Sequence, residues 1–319
     1  MLSILAVTFP FFALVLCGFV ATRRGLLPLV AIPGLNTFVL YFALPCMLYR
    51  FGAQTPIAQL LDPVVATVYL LCGLLVVALS VVTTRQRWGW NDAAFGALVA
   101  AFPNSGFMGV PLLVALLGQA SAGTIILTMA LDMVVTTSLC IALSRLGQGE
   151  GGAAQALRNA LKGMLTNPMP WSIALGAVAS ALAFELPGPI DRTVAMLAAA
   201  ASPVALFTIG AVLARSQMNQ QEQVAPRHYV PLALVKLIVH PLLVWLACKA
   251  AMAAGFEMQP LAVTTLVLVA ALPSASNVSL LTERFGAHGG RVARIILVST
   301  VLAFVTFSAA VALFTESAS

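Results

Sequence analysis

The chain has 319 residues, of which 61% are hydrophobic and 8% are charged. Soluble domains are about 25% charged, so this composition excludes a water-soluble globule. The net charge of +6 does not indicate nucleic-acid binding, because basic residues collect on the cytoplasmic surface of membrane proteins. The 5 cysteines are scattered through apolar stretches without a metal-binding or redox spacing, which indicates small buried hydrophobes.

Apolar runs of about 20 residues recur along the chain, and each can cross the roughly 30 Å hydrocarbon layer as a helix. The sequence therefore predicts an all-α polytopic membrane protein with ten transmembrane helices. Arg23 and Arg24 follow the first run, whereas a signal peptide carries its basic residues before it, so we expect that run to remain as a helix. The predicted spans are residues 3–22, 29–49, 63–84, 91–118, 121–143, 167–184, 190–214, 229–251, 259–282 and 290–314.

The distribution of lysine and arginine predicts the orientation. With the N-terminus outside, 12 of the 16 basic residues fall in inside loops and 3 in outside loops. Because basic loops stay in the cytoplasm, both termini are expected on the periplasmic side of a bacterial inner membrane.

The two halves of the chain carry similar segments. FALP at Phe42–Pro45 aligns with FTIG at Phe207–Gly210, and FPNS at Phe102–Ser105 aligns with LPSA at Leu272–Ala275. Each half holds five predicted spans, an odd number, so the second half must be inserted upside down. This is the inverted-repeat plan of many secondary transporters. The predicted domains are a first repeat over residues 1–143, a cytoplasmic linker over 144–166 and a second repeat over 167–319.

Two predicted spans, four and nine, are interrupted by helix-breaking residues. Span four contains Pro103, Gly106, Gly109 and Pro111, and span nine contains Pro273. Unwound backbone cannot face lipid, so these crossover segments should line a wet cavity where two half-helix N-termini favour an anion. The alternative is a pair of ordinary proline kinks packed through small residues. The candidate substrate-binding residues are Asn104, Ser105, Gly106, Pro111, Pro273, Ser274, Ser276 and Asn277.

Three titratable residues fall at membrane depth: Asp132 in span five, and Lys236 and His240 in span eight. Such groups are usually functional, and Lys236 and His240 share one helix face because they lie four residues apart. We expect Asp132 to bind a coupling cation, H⁺ or Na⁺, and Lys236 to neutralise either Asp132 or the substrate. The alternative is a buried Asp132–Lys236 pair that only holds helices together. No other cofactor and no resident metal is expected.

These features favour a secondary carrier of a small carboxylate over three alternatives. A channel or passive facilitator would give fluxes that never saturate, and a non-transporting sensor would bind substrate without flux. An intramembrane enzyme is disfavoured, because the sequence has no HExxH motif, no second membrane acid and no nucleophile–base spacing.

Four segments together resemble the auxin efflux carrier family over essentially the whole chain. They are LNTFVLYFALPCML at Leu35–Leu48, PNSGFMGVPLL at Pro103–Leu113, SPVALFTIGAVLA at Ser202–Ala214 and ALPSASNVSLLTERFG at Ala271–Gly286. The resemblance implies a scaffold of helices one, two, six and seven, and a moving domain of helices three to five and eight to ten. It also implies an organic anion that is bound beside the crossover and carried by an elevator-like shift.

The same resemblance assigns Asn104 and Pro111 as the crossover asparagine and proline, and it places Asn36 and Pro45 as lining residues of the scaffold. The chain departs from the plant pattern, because Val278 replaces a second proline and the long cytoplasmic loop is missing. Auxin is therefore not the expected substrate. Bacterial malonate carriers have a similar length and share the FALP segment, so malonate is the first expectation. A homodimer through the scaffold helices and contact with membrane lipid are also expected.

Overall fold

The computed structural model describes residues 2–55, 62–146, 158, 168–218 and 224–315. Within these ranges the chain is helical and contains no strand. The first seven helices are α1 Leu2–Arg23, α2 Ile32–Phe38, α3 Leu44–Gln54, α4 Pro63–Ala101, α5 Val110–Leu117, α6 Ala122–Leu131 and α7 Thr137–Arg145. The next seven are α8 Pro168–Ala181, α9 Gly188–Met218, α10 Val230–Leu234, α11 His240–Ala253, α12 Pro260–Ala271, α13 Val278–Arg284 and α14 Gly289–Thr315.

Several helical segments are apolar and long enough to cross a membrane, which confirms the prediction of an all-α multi-pass membrane protein. Six such segments occur in the described residues: Leu29–Gln54, Pro63–Ala101, Gln119–Arg145, Gly188–Arg215, Val230–Ala253 and Gly289–Phe314. Three apolar helices are shorter: Thr8–Arg23, Ser105–Leu117 and Pro260–Ala271. The count of ten spans and the inverted repeat stay predictions. Most of the predicted linker 144–166 lies outside the described residues.

Predicted span three and the first part of predicted span four are two helices joined at a single residue, without a longer loop between them. Helix α4 continues from Pro63 to Ala101 and is interrupted only at Gly89, with φ 75° and ψ 172°. Glycine adopts positive φ without a steric penalty, so one residue turns the chain where the sequence pattern predicts a longer connection.

Four wider π-helical turns interrupt the regular helices. They are Val39–Ala43, Ser105–Gly109, Asp132–Thr136 and Val235–Val239. In three cases a proline follows within the first two residues of the next helix: Pro45, Pro111 and Pro241. Because proline lacks an N–H and clashes with the carbonyl four residues earlier, the regular hydrogen-bond ladder gives way to a wider turn. The turn at Asp132 has no such proline after it.

The helices form two compact units, and each unit draws on both halves of the chain. The first unit comprises Met1–Asp62, Gly106–Leu127 and Asn167–Asn219. The second unit comprises Pro63–Ser105, Thr128–Thr166 and Gln220–Ser319.

Glycines allow close helix approach in the first unit. Gly18 of α1 lies against the backbone of Phe207 in α9, and Gly210 of α9 lies against the backbone of Val15. A methyl group at either glycine would collide with main-chain atoms. This is the small-residue packing typical of membrane helices.

The second unit packs α4 against α7 and α11, α11 against α12, and α12 against α14. Its fully buried large side chains include Tyr69, Phe95, Phe307 and Lys236. A lysine among the most buried side chains requires a specific partner, and that partner belongs to the site described next.

Candidate functional site

The two broken helices meet in the second unit. Helix α4 ends at Ala101 and α12 ends at Ala271, and the residues that follow pair as a single antiparallel β-bridge between Pro103 and Ser274. The N–H of Asn104 donates to the carbonyl of Pro273 at 2.8 Å, and the N–H of Ala275 donates to the carbonyl of Phe102 at 3.0 Å. Backbone groups freed at the two breaks therefore satisfy each other, as buried backbone within a membrane requires.

Polar side chains cluster along this bridge. Asn104 is 4% exposed, Ser105 and Ser274 are at most 1% exposed, and Ser276 is 9% exposed. Asn277 is half-buried. Within the described part of the chain, the hydroxyls of Ser105 and Ser274 are buried without a hydrogen-bond partner. Such a group costs about 1–3 kcal/mol, so the two hydroxyls offer unused hydrogen-bonding capacity.

The remaining predicted lining residues belong to the first unit. Gly106 is half-buried in the wide turn after Ser105, and Pro111 is half-buried in the first turn of α5. Asn36 of α2 and Pro45 of α3 are also half-buried. The predicted site residues are therefore divided between the two units. Asn104, Ser105 and the residues from Pro273 to Asn277 belong to the second unit, and the first unit contains Gly106, Pro111, Asn36 and Pro45.

Lys236 caps the helix that leads into the bridge. Its Nζ donates to the carbonyl oxygen of Ala270, in the last turn of α12, at 2.6 Å, and it lies 3.2 Å from His240 Nδ1. A helix leaves its final carbonyls without intrahelical partners, and a cation is favourable there because of the helix dipole. Lys236 and His240 are both 0% exposed. The Lys236 ammonium therefore binds the carbonyl of Ala270, which precedes the helix-breaking Pro273 by three residues.

Asp132 is held by hydroxyl groups. The Tyr69 hydroxyl donates to Oδ2 at 2.7 Å, and the Thr136 hydroxyl donates to Oδ1 at 3.1 Å. Asp132 and Tyr69 are each 1% exposed. The charges of Asp132 and Lys236 act on each other, but within the described residues these two side chains form no direct ion pair. The predicted acid and base are therefore near neighbours with separate partners.

Tyr69 is the residue that the sequence reasoning missed. Besides its bond to Asp132, its ring lies 6.1 Å from the ring of His240, centroid to centroid. It therefore stands between the acid and the Lys236–His240 pair. The available signal was a phenol in the middle of an apolar run, VVATVYLLCGLL, at membrane depth. Ser299 was also missed, and its hydroxyl accepts the N–H of Ser274 at 3.1 Å.

A second polar cluster of this unit lies around the turn at Gly89. Arg291 donates to Asp92 at 3.1 Å, and its guanidinium carbon lies 4.0 Å from the centroid of the Trp88 ring. Partial removal from water and the charges of Arg87 and Arg227 hold the pKa of His228 below its ordinary value. This cluster ties the turn at Gly89 to the start of α14.

Fold and site together define a multi-pass helical membrane protein with a polar crossover of two broken helices in its interior. Residues 3–311 match the sequence model of a family described as "Membrane transport protein". The chain belongs to this family, and the predicted membership of the auxin efflux carrier family is confirmed.

Named relatives are transporters from bacteria and an archaeon. The chain is 29% identical to a "Putative malonate transporter" of Rhizobium meliloti (strain 1021), over 96% of this chain and 94% of that protein. It is 26% identical to "Uncharacterized transporter YfdV" of Escherichia coli (strain K12), over 67% of this chain and 65% of that protein. It is 25% identical to an "Uncharacterized transporter" of Methanothermobacter thermautotrophicus, over 92% of each chain.

Proposed function

We propose that the protein is a secondary transporter that moves a small dicarboxylate of the malonate class across the bacterial inner membrane. The observation that carries this proposal is the bridge between Pro103 and Ser274, which puts buried amide and hydroxyl groups beside two helix breaks. The name of the Rhizobium relative supports malonate as the first substrate to test. The three-carbon length of malonate suits a compact polar site, and its two carboxylates match hydrogen-bond donors such as Asn104.

The chemistry of the crossover favours an anion over a cation or an apolar compound. Lys236 brings a positive charge to the end of α12, and the hydroxyls of Ser105 and Ser274 have hydrogens to donate. Charge-assisted hydrogen bonds to a carboxylate are about twice as strong as neutral ones. A cation pathway is instead typically lined by acidic side chains or carbonyls. Within residues 102–111 and 272–278, around the two breaks, the aromatic residues are Phe102 and Phe107.

Transport proceeds in this proposal by an elevator-type shift. The second unit, which holds the Pro103–Ser274 bridge, carries the substrate, and the first unit apart from Gly106–Leu127 serves as the scaffold. The division into two compact units that each combine both sequence halves supports this assignment. Asp132 binds the coupling cation, H⁺ or Na⁺, and Lys236 and His240 balance its charge. Both termini lie on the periplasmic side, and the scaffold helices pair with a second copy of the chain.

Counterflow tests the proposal without knowledge of the coupling ion. Purified protein in proteoliposomes loaded with unlabelled malonate should take up labelled malonate with a saturable rate, and succinate or oxalate should compete. A passive channel would give fluxes that never saturate and gain nothing from internal substrate. A panel of monocarboxylates and longer dicarboxylates then defines the class. If an active, folded preparation shows no uptake with any of these anions, the proposal is wrong.

A further inference from the structure

Asp132 lies in a place where an acid would be expected to pair directly with a base. Burying a carboxylate in the interior is unfavourable unless it is paired or hydrogen-bonded. Lys236 belongs to the same unit and is equally buried. The two nevertheless keep separate partners, since hydroxyls of Tyr69 and Thr136 hold the carboxylate, and the Ala270 carbonyl and His240 hold the ammonium.

Tyr69 contacts both sides of this separation. Its hydroxyl reaches Asp132 Oδ2 at 2.7 Å, and its ring lies 6.1 Å from the ring of His240, centroid to centroid. The three groups come from three different segments of the chain: helix α4, the wide turn Asp132–Thr136 and the first residue of α11. Wide turns of this kind occur frequently at functional sites. Asp132 lies in the turn Asp132–Thr136, and Lys236 lies in the turn Val235–Val239.

We propose that Tyr69 is the positioning residue of the coupling site: its hydroxyl holds the Asp132 carboxylate apart from Lys236, so that the acid takes up and releases a proton without breaking an ion pair. This inference rests on the proposed function and specifies its coupling ion. It also assigns a role to a residue beyond Asp132, Lys236 and His240.

The donor set around Asp132 suits a proton. Both carboxylate oxygens accept hydrogen bonds from neutral hydroxyls, whose hydrogens point toward the acid. A proton needs one further lone pair of the carboxylate and leaves these bonds in place. A sodium ion would instead need several oxygen ligands around it at once, in addition to the carboxylate. The other titratable groups that act on this acid are Lys236, and Cys140 on α7.

His240 supports the same arrangement. Because its Nδ1 faces the Lys236 ammonium at 3.2 Å, the ring nitrogen that carries a hydrogen is Nε2. This buried Nε2 has no hydrogen-bond partner in the described part of the chain. With a neutral His240 ring, Lys236 is the positive charge nearest to this ring, and Tyr69 contacts both His240 and Asp132.

The test is the pH dependence of malonate exchange in sodium-free proteoliposomes, with the same pH on both sides of the membrane so that no driving force changes. In the wild type, exchange should titrate with a single midpoint. In Tyr69→Phe the ionised carboxylate of Asp132 loses the hydrogen bond from the tyrosine hydroxyl, so Asp132 stays protonated to higher pH. The midpoint of the exchange profile should therefore move up by about one pH unit. The matched control is Tyr49→Phe in the first unit, which should leave the midpoint unchanged.

Two further variants tie the shift to Asp132. Asp132→Asn should give exchange that does not vary with pH, and adding Tyr69→Phe to it should change nothing more, since both act at one group. Thr136→Val removes the other donor and should move the midpoint in the same direction. It keeps the inference testable if Tyr69→Phe fails to fold.

Failure of the inference differs from failure of the proposed function. Absence of exchange with every anion overturns the proposed function. Exchange that requires sodium, or that does not vary with pH in the wild type, leaves the transporter and overturns the inference. Superimposable profiles of the wild type and Tyr69→Phe also overturn it.

Discussion

The two units of the molecule bury different kinds of polar group. In the described residues of the first unit, the buried polar side chains are serines and threonines. Thr22, Ser172 and Thr208 each donate to a carbonyl four residues earlier in their own helix. Such bonds use the hydrogen of each hydroxyl within its own helix, so these three groups have no hydrogen left to donate to a ligand.

The second unit buries the groups that can do chemistry. Asp132, Lys236, His240 and Asn104 are all at most 4% exposed, and they belong to this unit. Asp132 and Lys236 each have one partner four residues away and one partner on another helix, Tyr69 and Ala270. The comparison shows that close helix packing characterises the first unit, whereas buried charged and amide groups occur in the second.

The largest effect is expected from a change that attacks the packing of the first unit. Gly210→Ala places a methyl group against the backbone of Val15, which cannot move as a side chain end can. Overpacking of this kind costs about 1–3 kcal/mol, so the thermal unfolding temperature and the yield of folded protein should both fall. Gly34→Ala is the control, because nothing lies within 4 Å of that position. Equal stability of the two variants would contradict glycine-dependent packing.

The next largest effect is expected at Asp132 in the second unit, where a substitution should reduce accumulation of malonate but leave its exchange intact. Asp132→Asn keeps the shape of the side chain and removes its charge, so gradient-driven accumulation of malonate should fall by about tenfold or more, as expected for a functional intramembrane charge. Exchange and thermal stability should remain near the wild-type values. Accumulation and exchange are measured on the same vesicles. Unimpaired accumulation would remove Asp132 from the coupling role.

The smallest effect concerns His228, which lies beside the polar cluster around Gly89 and just before the segment Val230–Ala253. Because the pKa of His228 is lowered in the folded protein by loss of water contact and by Arg87 and Arg227, protonation favours the unfolded state. Stability should therefore decline as pH falls below about 6.5, the ordinary pKa of histidine. In His228→Gln the loss of thermal stability between pH 7.5 and 5.5 should be smaller, by on the order of one degree. A loss as large as in the wild type would show that His228 does not contribute.

The sequence predicts the positions of the helix breaks but not the contacts between helices. Pro103 and Pro273 mark the breaks, because proline acts on its own local backbone. Lys236 and His240 face each other because a helix brings residues four apart together. The partner of Asp132 depends on which helices pack together, so the phenol of Tyr69 could not be found from spacing. Gly89 turns α4 in a single residue, which hydropathy windows do not resolve.

The central claim is that recognition takes place at the crossover of the second unit. The most direct test is malonate counterflow, per folded protein, for Asn104→Ala and for its control Gln119→Ala, an exposed amide of the first unit. Losing a hydrogen bond to a charged ligand costs about 1.5–3 kcal/mol, so Asn104→Ala should weaken the apparent affinity by about 10- to 100-fold. Gln119→Ala should stay within about threefold of the wild type, as expected for an exposed position away from the crossover. The reverse order, or equal losses in both variants, would contradict a binding site at the crossover.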